Sequence, residues 1–338
     1  MKAFVITEPG QSTIGNVSTP AAGPGEVLLQ TRMVGFCGTD LSTFRGKNPL
    51  VSYPRIPGHE ISATIAETGT GVPAHLGVGL DVTVSPYNPC GNCAACRRGR
   101  RNSCARNETL GVQRDGAMKE FFTVPWQKAF PADGLSLRDL SFVEPLAVGF
   151  HAANRGRVER TDRVAVIGCG TVGLGAIACA AMRGSEVIAI DLDDRKLELA
   201  KQVGASKTIH SGREPLHEAL QSITDGDGPD VVIEAVGTPQ TFRAAVEEVA
   251  FTGRVVYIGW AKEPITYETK LFILKELDIL GSRNSLDEFP QVIEVLQKGQ
   301  FPVEATISRT VHLDQAGEAL KDWSNAPQAY SKILVEMA

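Results

Sequence analysis

The fold of this chain is decided by RVAVIGCGTVGLGAIACAAMRGSEVIAID, residues 163–191. A short β-branched run at 164–167 predicts a buried strand, and a glycine-rich loop at 168–173 follows it. An Ala-rich segment then predicts a helix, and a second apolar run at 187–190 predicts a strand that ends on Asp191. Strand, G-x-G-x-x-G, helix, strand and acid in this order predict a dinucleotide-binding unit.

Each glycine of this loop has its own function in the predicted unit. Gly168 allows the tight turn, Gly170 lets the backbone approach a pyrophosphate, and Gly173 lets the helix pack closely on the strand. Thr171 and Val172 complete the loop, where the helix N-terminus offers unpaired N–H groups and a partial positive charge to phosphates. We therefore expect these five residues to bind the cofactor.

Asp191 predicts which dinucleotide binds. A carboxylate here would accept hydrogen bonds from both ribose hydroxyls, and a 2′-phosphate would meet its negative charge, so NAD is favoured over NADP. A lone G-x-G-x-x-G is a weak signal, but the flanking strands and the acid at the right distance strengthen it. The other interpretation is a membrane helix over the uncharged run 164–182, and four glycines and a β-branched start argue against it.

Composition and charge narrow the class of protein. A chain of 338 residues is long for one core and suits two domains. Its 43% hydrophobic and 22% charged residues are ordinary for a soluble globular protein, and a net charge of −5 argues against a broad nucleic-acid surface. The N-terminus predicts no signal peptide, and seven cysteines, four of them close together, indicate metal ligands in a reducing compartment. We expect a cytoplasmic protein with no nucleic-acid or membrane partner.

The predicted elements change in character along the chain, and together they predict an α/β fold. Residues 1–145 are rich in Gly, Pro and short alternating runs, which predicts an irregular, partly open antiparallel β-barrel as the catalytic domain. Residues 146–284 alternate apolar strands with helices, which predicts a doubly wound six-stranded parallel (Rossmann) sheet. The segment 285–338 contains two predicted helices and a strand at 332–336, and we expect it to return to the first domain.

Four closely spaced cysteines predict a structural zinc site in a lobe over residues 89–105. They are Cys90, Cys93, Cys96 and Cys104. Four thiolates can close a tetrahedral shell around Zn²⁺ and leave no position for water. Four arginines are interleaved with them, namely Arg97, Arg98, Arg100 and Arg101. In an acidic protein we interpret these as compensating the zinc–thiolate charge rather than binding nucleic acid, and a redox C-x-x-C would not explain four cysteines.

A second metal site would be assembled from residues farther apart. Cys37 lies in the run 35–40, His59 and Glu60 follow a Pro-Gly pair, and Glu144 precedes the cofactor domain. Each alone has an ordinary explanation, such as a buried thiol, a core histidine or a surface acid. Together they would supply a thiolate, an imidazole and carboxylate oxygen and leave a position for water or substrate, as a catalytic zinc site does.

These motifs together resemble the zinc-dependent medium-chain alcohol dehydrogenase family. The motifs are GFCGTD at 35–40, Gly58-His59-Glu60, the four-cysteine lobe, Glu144-Pro145 and the loop at 168–173, and they follow the family's order over essentially the whole chain. Liver-type members have a cysteine at the position of Glu144, so this chain is most similar to the sorbitol (polyol) and threonine dehydrogenase branch.

The resemblance implies a role for each metal-site residue. Cys37 and His59 would bind the catalytic zinc, and Glu60 and Glu144 would be the remaining ligands, which exchange with each other. With the four-cysteine lobe, this implies two Zn²⁺ per chain. The resemblance also implies a homodimer or homotetramer.

Two further roles follow from the resemblance, together with two departures from it. Thr39 would hydrogen-bond the alcohol, and Asp40 would orient the imidazole of His59. Many relatives have a histidine where this chain has Ser42, so the last step of proton exit is open among Ser42, a water chain and the cofactor ribose. The run 115–121 also departs from the family pattern, which either reshapes the substrate pocket or only repacks the core; we favour the core.

The predicted reaction is zinc-dependent oxidation of an alcohol carbon to a carbonyl, with hydride transfer to NAD in a dry cleft between the domains. Val236 and Gly259 end parallel strands and would contact nicotinamide. Aromatic residues make up only 6% of the chain, and polar residues dominate near the zinc motifs, which favours a polyol, sugar or sugar acid as substrate. These polar candidates are Ser42, Arg45, Arg114 and Arg283.

Two alternatives to this function are a second enzyme and a protein from another class. A threonine-type amino-alcohol dehydrogenase would share the metal and cofactor and differ only in its pocket. A non-enzymatic NAD-binding relative would be expected to lose zinc ligands or the relay hydroxyl. This chain retains both, which argues against that alternative.

Overall fold

The computed structural model describes residues 1–337 and divides them into two compact units. Unit 1 contains Met1–Glu144, Phe289–Lys298 and the described part of Val303–Ala338. Unit 2 contains Pro145–Glu288 and Gly299–Pro302. The sequence analysis placed the boundaries after residues 145 and 284, whereas this division falls after residues 144 and 288.

The described residues form strands and helices in the following order. The strands are β1 (Lys2–Glu8), β2 (Gln11–Asn16), β3 (Glu26–Gly35), β4 (Glu60–Thr68), β5 (Asp81–Val84), β6 (Phe121–Pro125), β7 (Ala129–Pro131), β8 (Arg163–Ile167), β9 (Glu186–Asp191), β10 (Lys207–His210), β11 (Val231–Glu234), β12 (Arg254–Tyr257), β13 (Asp278–Gly281), β14 (Ile307–His312) and β15 (Lys332–Glu336). The α-helices are α1 (Gly38–Phe44), α2 (Ala94–Arg97), α3 (Leu137–Arg155), α4 (Thr171–Met182), α5 (Asp194–Gln202), α6 (Leu216–Ile223), α7 (Pro239–Glu248), α8 (Lys270–Leu274), α9 (Phe289–Gln297), α10 (Val303–Thr306) and α11 (Ala316–Asn325).

Unit 1 is built on a largely antiparallel sheet with the strand order β14-β15-β3-β4-β5-β7, in which β6 also pairs with β3. β15 is antiparallel to β3, with Leu334 opposite Gly35, and only β14 and β15 pair in parallel. β3 is buried over most of its length because it pairs with three strands, and its Leu29 packs in the core with Phe4 and Ile61. The antiparallel-rich β domain predicted from the sequence is confirmed.

Unit 2 contains a six-stranded parallel sheet with the order β10-β9-β8-β11-β12-β13. From β8, the chain first adds β9 and β10 on one side and then β11, β12 and β13 on the other. The direction of strand addition therefore reverses beside the carboxyl end of β8. Open α/β sheets bind ligands at this position. The predicted doubly wound sheet is confirmed.

The uncharged run at 164–182 is divided between a strand, a glycine loop and a helix. β8 takes its first residues and α4 its last twelve. Within residues 1–337, no helix combines the length and the apolar character that crossing a membrane requires.

The sequence analysis did not predict α3, which runs for 19 residues and contains Pro145. A proline in a helix interior removes a hydrogen bond and normally indicates a helix end. The helix is also apolar on more than one side, because Phe142, Val143 and Leu146 are all fully buried, so it lacks the polar face that marks a surface helix. α3 carries Glu144, and the division between the units falls directly after that residue.

Candidate active site

The first part of the site is the turn from β3 into α1. Cys37 caps the N-terminus of α1 with extended backbone (φ −101°, ψ 156°), and the carboxylate of Asp40 accepts its N–H at 2.9 Å. The first turn of a helix favours a carboxylate because its N–H groups carry partial positive charge. The Cys37 sulfur lies 3.6 Å from the hydroxyl oxygen of Thr39. This turn therefore holds a thiol and a hydroxyl side by side.

The second part of the site is the entry into β4. Gly58 has a φ of 104°, and a Cβ there would lie 2.8 Å from Val34, so glycine is required. The next residues, His59 and Glu60, are 5% and 1% exposed. One donor atom from each of Cys37, His59 and Glu60 lies within 4.8 Å of the other two. Thiolate, imidazole and carboxylate are the donors that zinc uses, so this set fits the ion.

The electrostatics around His59 also fit a cation. Its Nδ1 lies 3.9 Å from Oδ1 of Asp40, and both atoms are buried without a hydrogen-bond partner. Burial alone lowers the pKa of His59, but the Asp40 carboxylate and the Cys37 thiol raise it well above its usual value. Burial raises the pKa of Asp40. At 3.9 Å the Asp40–His59 contact is too long for a hydrogen bond, so the orientation of His59 by Asp40 stays a prediction.

Glu144 approaches the same site from α3 but is not one of the three clustered donors. Its buried carboxylate accepts a hydrogen bond from the hydroxyl of Tyr87, and burial raises the pKa of Glu144 to about 7. Glu144 is near enough to raise the pKa of His59. The sequence analysis missed Tyr87, which precedes the four-cysteine lobe and whose only local signal is its place in an otherwise polar segment.

The sequence analysis also missed Lys332, at the start of β15. Its side chain is buried, and its Nζ donates to Oε2 of Glu60 at 2.5 Å and to the carbonyl of Phe36 at 3.3 Å. Buried lysines are rare unless paired, so this cation is part of the site's charge balance. No local pattern identifies Lys332, because its partner Glu60 lies 272 positions earlier in the chain.

The four predicted ligands of the lobe also come together. One donor atom from each of Cys90, Cys93, Cys96 and Cys104 lies within 4.8 Å of the others. The sulfur of Cys93 is 3.5 Å from that of Cys96 and 3.8 Å from that of Cys104, which suits four thiolates around one zinc. The backbone N–H groups of Cys90 and Arg106 donate to the Cys104 sulfur at 3.2 and 3.3 Å.

An arginine outside the four that were predicted contacts a cysteine of the lobe. Arg106, which the sequence analysis did not single out, lies with its guanidinium 3.5 Å from the Cys90 sulfur. A backbone hydrogen bond from Asn92 and contacts that include Arg106 lower the pKa of Cys90 to about 6, and backbone N–H groups lower that of Cys93 to about 7. Of the four arginines predicted to compensate the cluster, Arg97 bonds the carbonyl of Asn92.

The dinucleotide loop of unit 2 has the geometry that its glycines predict. Gly168 has a φ of 98°, and a Cβ at Gly173 would lie 1.8 Å from the carbonyl oxygen of Gly168, so the helix packs against the turn. Gly170 caps α4, and a Cβ there would meet nothing within 4 Å. Open space beside Gly170 is what the approach of a pyrophosphate needs. Thr171 and Val172 form the first turn of α4.

The other predicted cofactor residues lie at the carboxyl ends of neighbouring strands. Asp191 ends β9, and its carboxylate accepts the N–H groups of Cys169 at 2.7 Å and Leu192 at 2.7 Å. Val236 follows β11 and is 48% exposed, and Gly259 follows β12. The buried carboxylate of Glu234 contacts both loops. One oxygen accepts the N–H of Val236 at 2.9 Å, and the other lies so close to Gly259 that a Cβ there would be 2.3 Å away.

The polar residues predicted to contact substrate differ in their surroundings. Nε of Arg45 donates to the hydroxyl of Ser324 at 3.0 Å, so this guanidinium is bound to α11. Ser42 is half-buried in α1, whereas Arg114 and Arg283 are exposed. In the run 115–121, Ala117 and Met118 are fully buried in the core of unit 1, in agreement with the core-packing interpretation.

Comparison with known proteins decides the family. Residues 23–134 match the model of the alcohol dehydrogenase GroES-like domain, and residues 171–298 match that of the zinc-binding dehydrogenases. The L-galactonate-5-dehydrogenase of Escherichia coli (strain K12) is 30% identical over 309 residues, which cover 91% of each protein. This chain belongs to the zinc-binding alcohol dehydrogenase family.

Further members of the family are similar over nearly the whole chain. The L-threonine 3-dehydrogenase of Pyrococcus horikoshii is 32% identical over 322 residues, 91% of this chain and 90% of that protein. A crystal structure described as short chain alcohol dehydrogenase (rspB) from E. coli CFT073, complexed with NADH, superposes with a TM-score of 0.91 at 30% identity and covers 99% of both chains. These comparisons confirm the predicted family, and with it a zinc-dependent alcohol oxidoreductase that uses a nicotinamide cofactor.

Proposed function

We propose that this alcohol dehydrogenase oxidises an alcohol carbon of a polyol, sugar or sugar acid to a carbonyl and transfers hydride to NAD. The observation that carries the proposal is the convergence of Cys37, His59 and Glu60 within 4.8 Å in a chain whose other unit has a dinucleotide-binding sheet. Segments 1–145 and 285–338 would form the catalytic domain, and residues 146–284 the NAD domain.

Different residues of unit 1 would bind the metal ions and accept the substrate proton. Cys37, His59 and a carboxylate from Glu60 or Glu144 would hold the zinc, and the four-cysteine lobe would hold a second, structural zinc. When bound, zinc supplies Lewis-acid polarisation of the substrate hydroxyl and NAD supplies the hydride acceptor. The Thr39 hydroxyl beside the Cys37 sulfur would accept the substrate proton.

Asp40 and Thr39 have separate tasks in this mechanism. Asp40, whose carboxylate lies 3.9 Å from Nδ1 of His59, would orient the imidazole as a ligand. Thr39 would pass the proton on, with Ser42, water or the cofactor ribose as the next acceptor. Together they position the metal ligand and remove the proton from the substrate.

Unit 2 would bind NAD through Gly168, Gly170, Thr171, Val172, Gly173, Asp191, Val236 and Gly259. The half-buried carboxylate of Asp191, at the end of β9, supports NAD over NADP because a 2′-phosphate would bring a second negative charge beside it. Asp191→Ala should lose this discrimination by about tenfold, measured as the ratio of kcat/KM for NAD and NADP. An unchanged ratio would contradict the proposed ribose contact.

The substrate class rests on the relatives and on the polar site. The galactonate dehydrogenase supports a sugar-acid or polyol hydroxyl, and the threonine dehydrogenase supports the alternative of an amino alcohol. A panel of polyols, aldonates, threonine and simple alcohols, followed by the absorbance of NADH, separates these. Turnover of threonine alone selects the alternative, and no turnover of any alcohol by the zinc-loaded protein would refute the proposal.

We also propose a homodimer or homotetramer. β13 is an edge strand of the unit 2 sheet, with Ile279 exposed, and Ile273 of the neighbouring α8 is 86% exposed. An exposed apolar edge strand is a natural pairing site for a second copy. Ile273→Glu should shift the mass measured by light scattering toward the monomer, and a monomeric wild-type protein would exclude this arrangement.

A further inference from the structure

A buried lysine lies against a predicted metal ligand, and the zinc chemistry proposed above does not use it. Lys332 has 5% of its surface exposed and donates to Oε2 of Glu60 at 2.5 Å. Its second bond, to the carbonyl of Phe36 at 3.3 Å, holds the ammonium beside β3. A cation is costly to bury next to a site for a divalent cation, so its position calls for a functional explanation.

The second observation is a slot in the sheet that fits the Glu60 carboxylate. Gly35 ends β3 opposite Glu60 of β4 and Leu334 of β15. A Cβ at Gly35 would lie 2.1 Å from Oε2 of Glu60, so only glycine leaves room for this oxygen. The backbone φ of Gly35 is not positive, so its conformation alone does not require glycine. The close approach of the Glu60 carboxylate is what requires it.

Together these residues fix one oxygen of Glu60. Oε2 is confined between the Gly35 backbone and the Lys332 ammonium, and Glu60 also belongs to the donor set with Cys37 and His59. Carboxylates bind zinc through one or both oxygens, and an oxygen that accepts a short bond from an ammonium is a weaker metal ligand. Glu144, by contrast, is bound by the neutral hydroxyl of Tyr87.

We propose that Lys332, with Gly35, is a positioning residue that holds Oε2 of Glu60. As a result, Glu60 binds the catalytic zinc only weakly and can be displaced from it. This inference rests on the proposed zinc site. Weak ligation by Glu60 keeps a position at the metal available to substrate, because Glu60 does not take it with both oxygens. The lysine thus acts on the metal through the carboxylate and touches neither substrate nor cofactor.

The test is Lys332→Met, which removes the ammonium and retains most of the apolar side chain. In the zinc-loaded protein, release of the catalytic zinc to a chelator should become slower, because Glu60 is then free to bind the metal with both oxygens. The size should be about tenfold, the lower end of the change that partners of metal ligands cause, but with the opposite sign to the usual loss of affinity. Cys37→Ser identifies which phase of zinc release belongs to this site. The visible absorption of the Co²⁺-substituted protein, which reports coordination number, should also change, and KM should rise more than kcat falls.

Three matched variants separate positioning from mere stability. Lys332→Arg should restore the wild-type release rate and spectrum, and Gly35→Ala should change the spectrum as Lys332→Met does. In a Glu60→Gln background, Lys332→Met should have no further effect. The control is Lys275→Met, since Lys275 bonds the carbonyls of Glu247 and Val249 in unit 2 and should alter none of these measurements.

The outcomes distinguish this inference from the function on which it rests. A folded Lys332→Met protein with unchanged zinc release and Co²⁺ spectrum overturns the role of Lys332, and so does faster release, which would make the lysine a structural support only. Either result leaves zinc-dependent alcohol oxidation by the wild type intact. If Cys37→Ser removes no phase of zinc release from the protein, the proposed zinc site itself fails.

Discussion

The two candidate metal sites of unit 1 are built in opposite ways. The lobe takes all four donors from 15 consecutive residues, Cys90 to Cys104, and the N–H groups of Cys90 and nearby Arg106 donate to one of the four sulfurs. The other site takes Cys37 from the end of β3 and Glu60 from the start of β4, and its balancing cation, Lys332, from β15. The lobe is nearly complete within one segment of the chain. The other site is complete only when β15 has paired with β3.

The difference in donors matches the difference in task. Four thiolates satisfy zinc completely and leave nothing to react, so the lobe suits a structural ion. A thiolate, an imidazole and a carboxylate would leave a position at the metal open to substrate, and Lys332 also bonds this carboxylate. The comparison indicates that local spacing is enough to build an inert site, whereas a reactive one needs partners brought in by the fold.

The largest expected effect comes from removing a donor of the assembled site. Cys37→Ser should lower kcat/KM by about a thousandfold or more, because Lewis-acid stabilisation contributes several kcal/mol to the transition state. Zinc content, measured by atomic emission, should fall from two ions per chain to one. Unchanged zinc content would show that Cys37 holds no metal.

Removing a donor of the lobe should have a large effect of a different kind. Cys104→Ser replaces a fully buried thiol and should lower the free energy of unfolding by about 4 kcal/mol, as loss of a structural metal does. Chemical denaturation measures this loss. The fraction that remains folded should retain most of its kcat, and a loss of kcat as large as that of Cys37→Ser would mean that the two sites are not separable.

The pH dependence sharpens the comparison, since burial raises the pKa of Glu144 from 4.5 to about 7. A raised folded-state pKa means that the neutral form stabilises the fold: the contribution is complete below pH 4.5 and is lost as the pH rises through 7. Glu144 should therefore contribute a loss of about 3 kcal/mol of stability to the metal-free protein across this window, and Glu144→Gln should remove that part of the loss. Urea denaturation with a chelator at several pH values measures it, and equal slopes for both proteins would contradict the prediction.

The smallest effect concerns the charge around the lobe. Arg106→Ala removes the guanidinium 3.5 Å from the Cys90 sulfur and should speed zinc loss from the lobe about threefold, with kcat unchanged. Arg98→Ala, which changes another exposed arginine of the lobe, is the matched control. Equal zinc loss from both variants would assign the effect to net charge rather than to this contact.

The fold was predictable where the signal is local. The glycines at 168, 170 and 173 act within one turn, and the run around them alternates strand and helix, so the parallel sheet follows from short segments. Helices such as α5 and α9 were predictable because one face is apolar and the other polar. α3 was missed because it contains Pro145 and buries several sides.

The candidate site was predictable in its donors and not in their partners. Cys37, His59 and Glu60 are of residue types that bind zinc, so their combination was recognisable in the sequence, and the structure brings their donor atoms together. Tyr87 and Lys332 are common residue types whose importance depends on what lies opposite them in the folded sheet. The roles of all these residues in catalysis stay predictions until the variants are measured.

The pairing of β15 with β3 sets an order of events during synthesis. The ribosome adds Lys332 272 positions after Glu60, so the nascent chain carries Cys37, His59 and Glu60 for most of translation without the ammonium that confines one carboxylate oxygen. Metal captured in that interval would meet a Glu60 free to bind with both oxygens. The candidate site is then completed only when the Lys332 ammonium reaches Glu60, long after the donor residues themselves were synthesised.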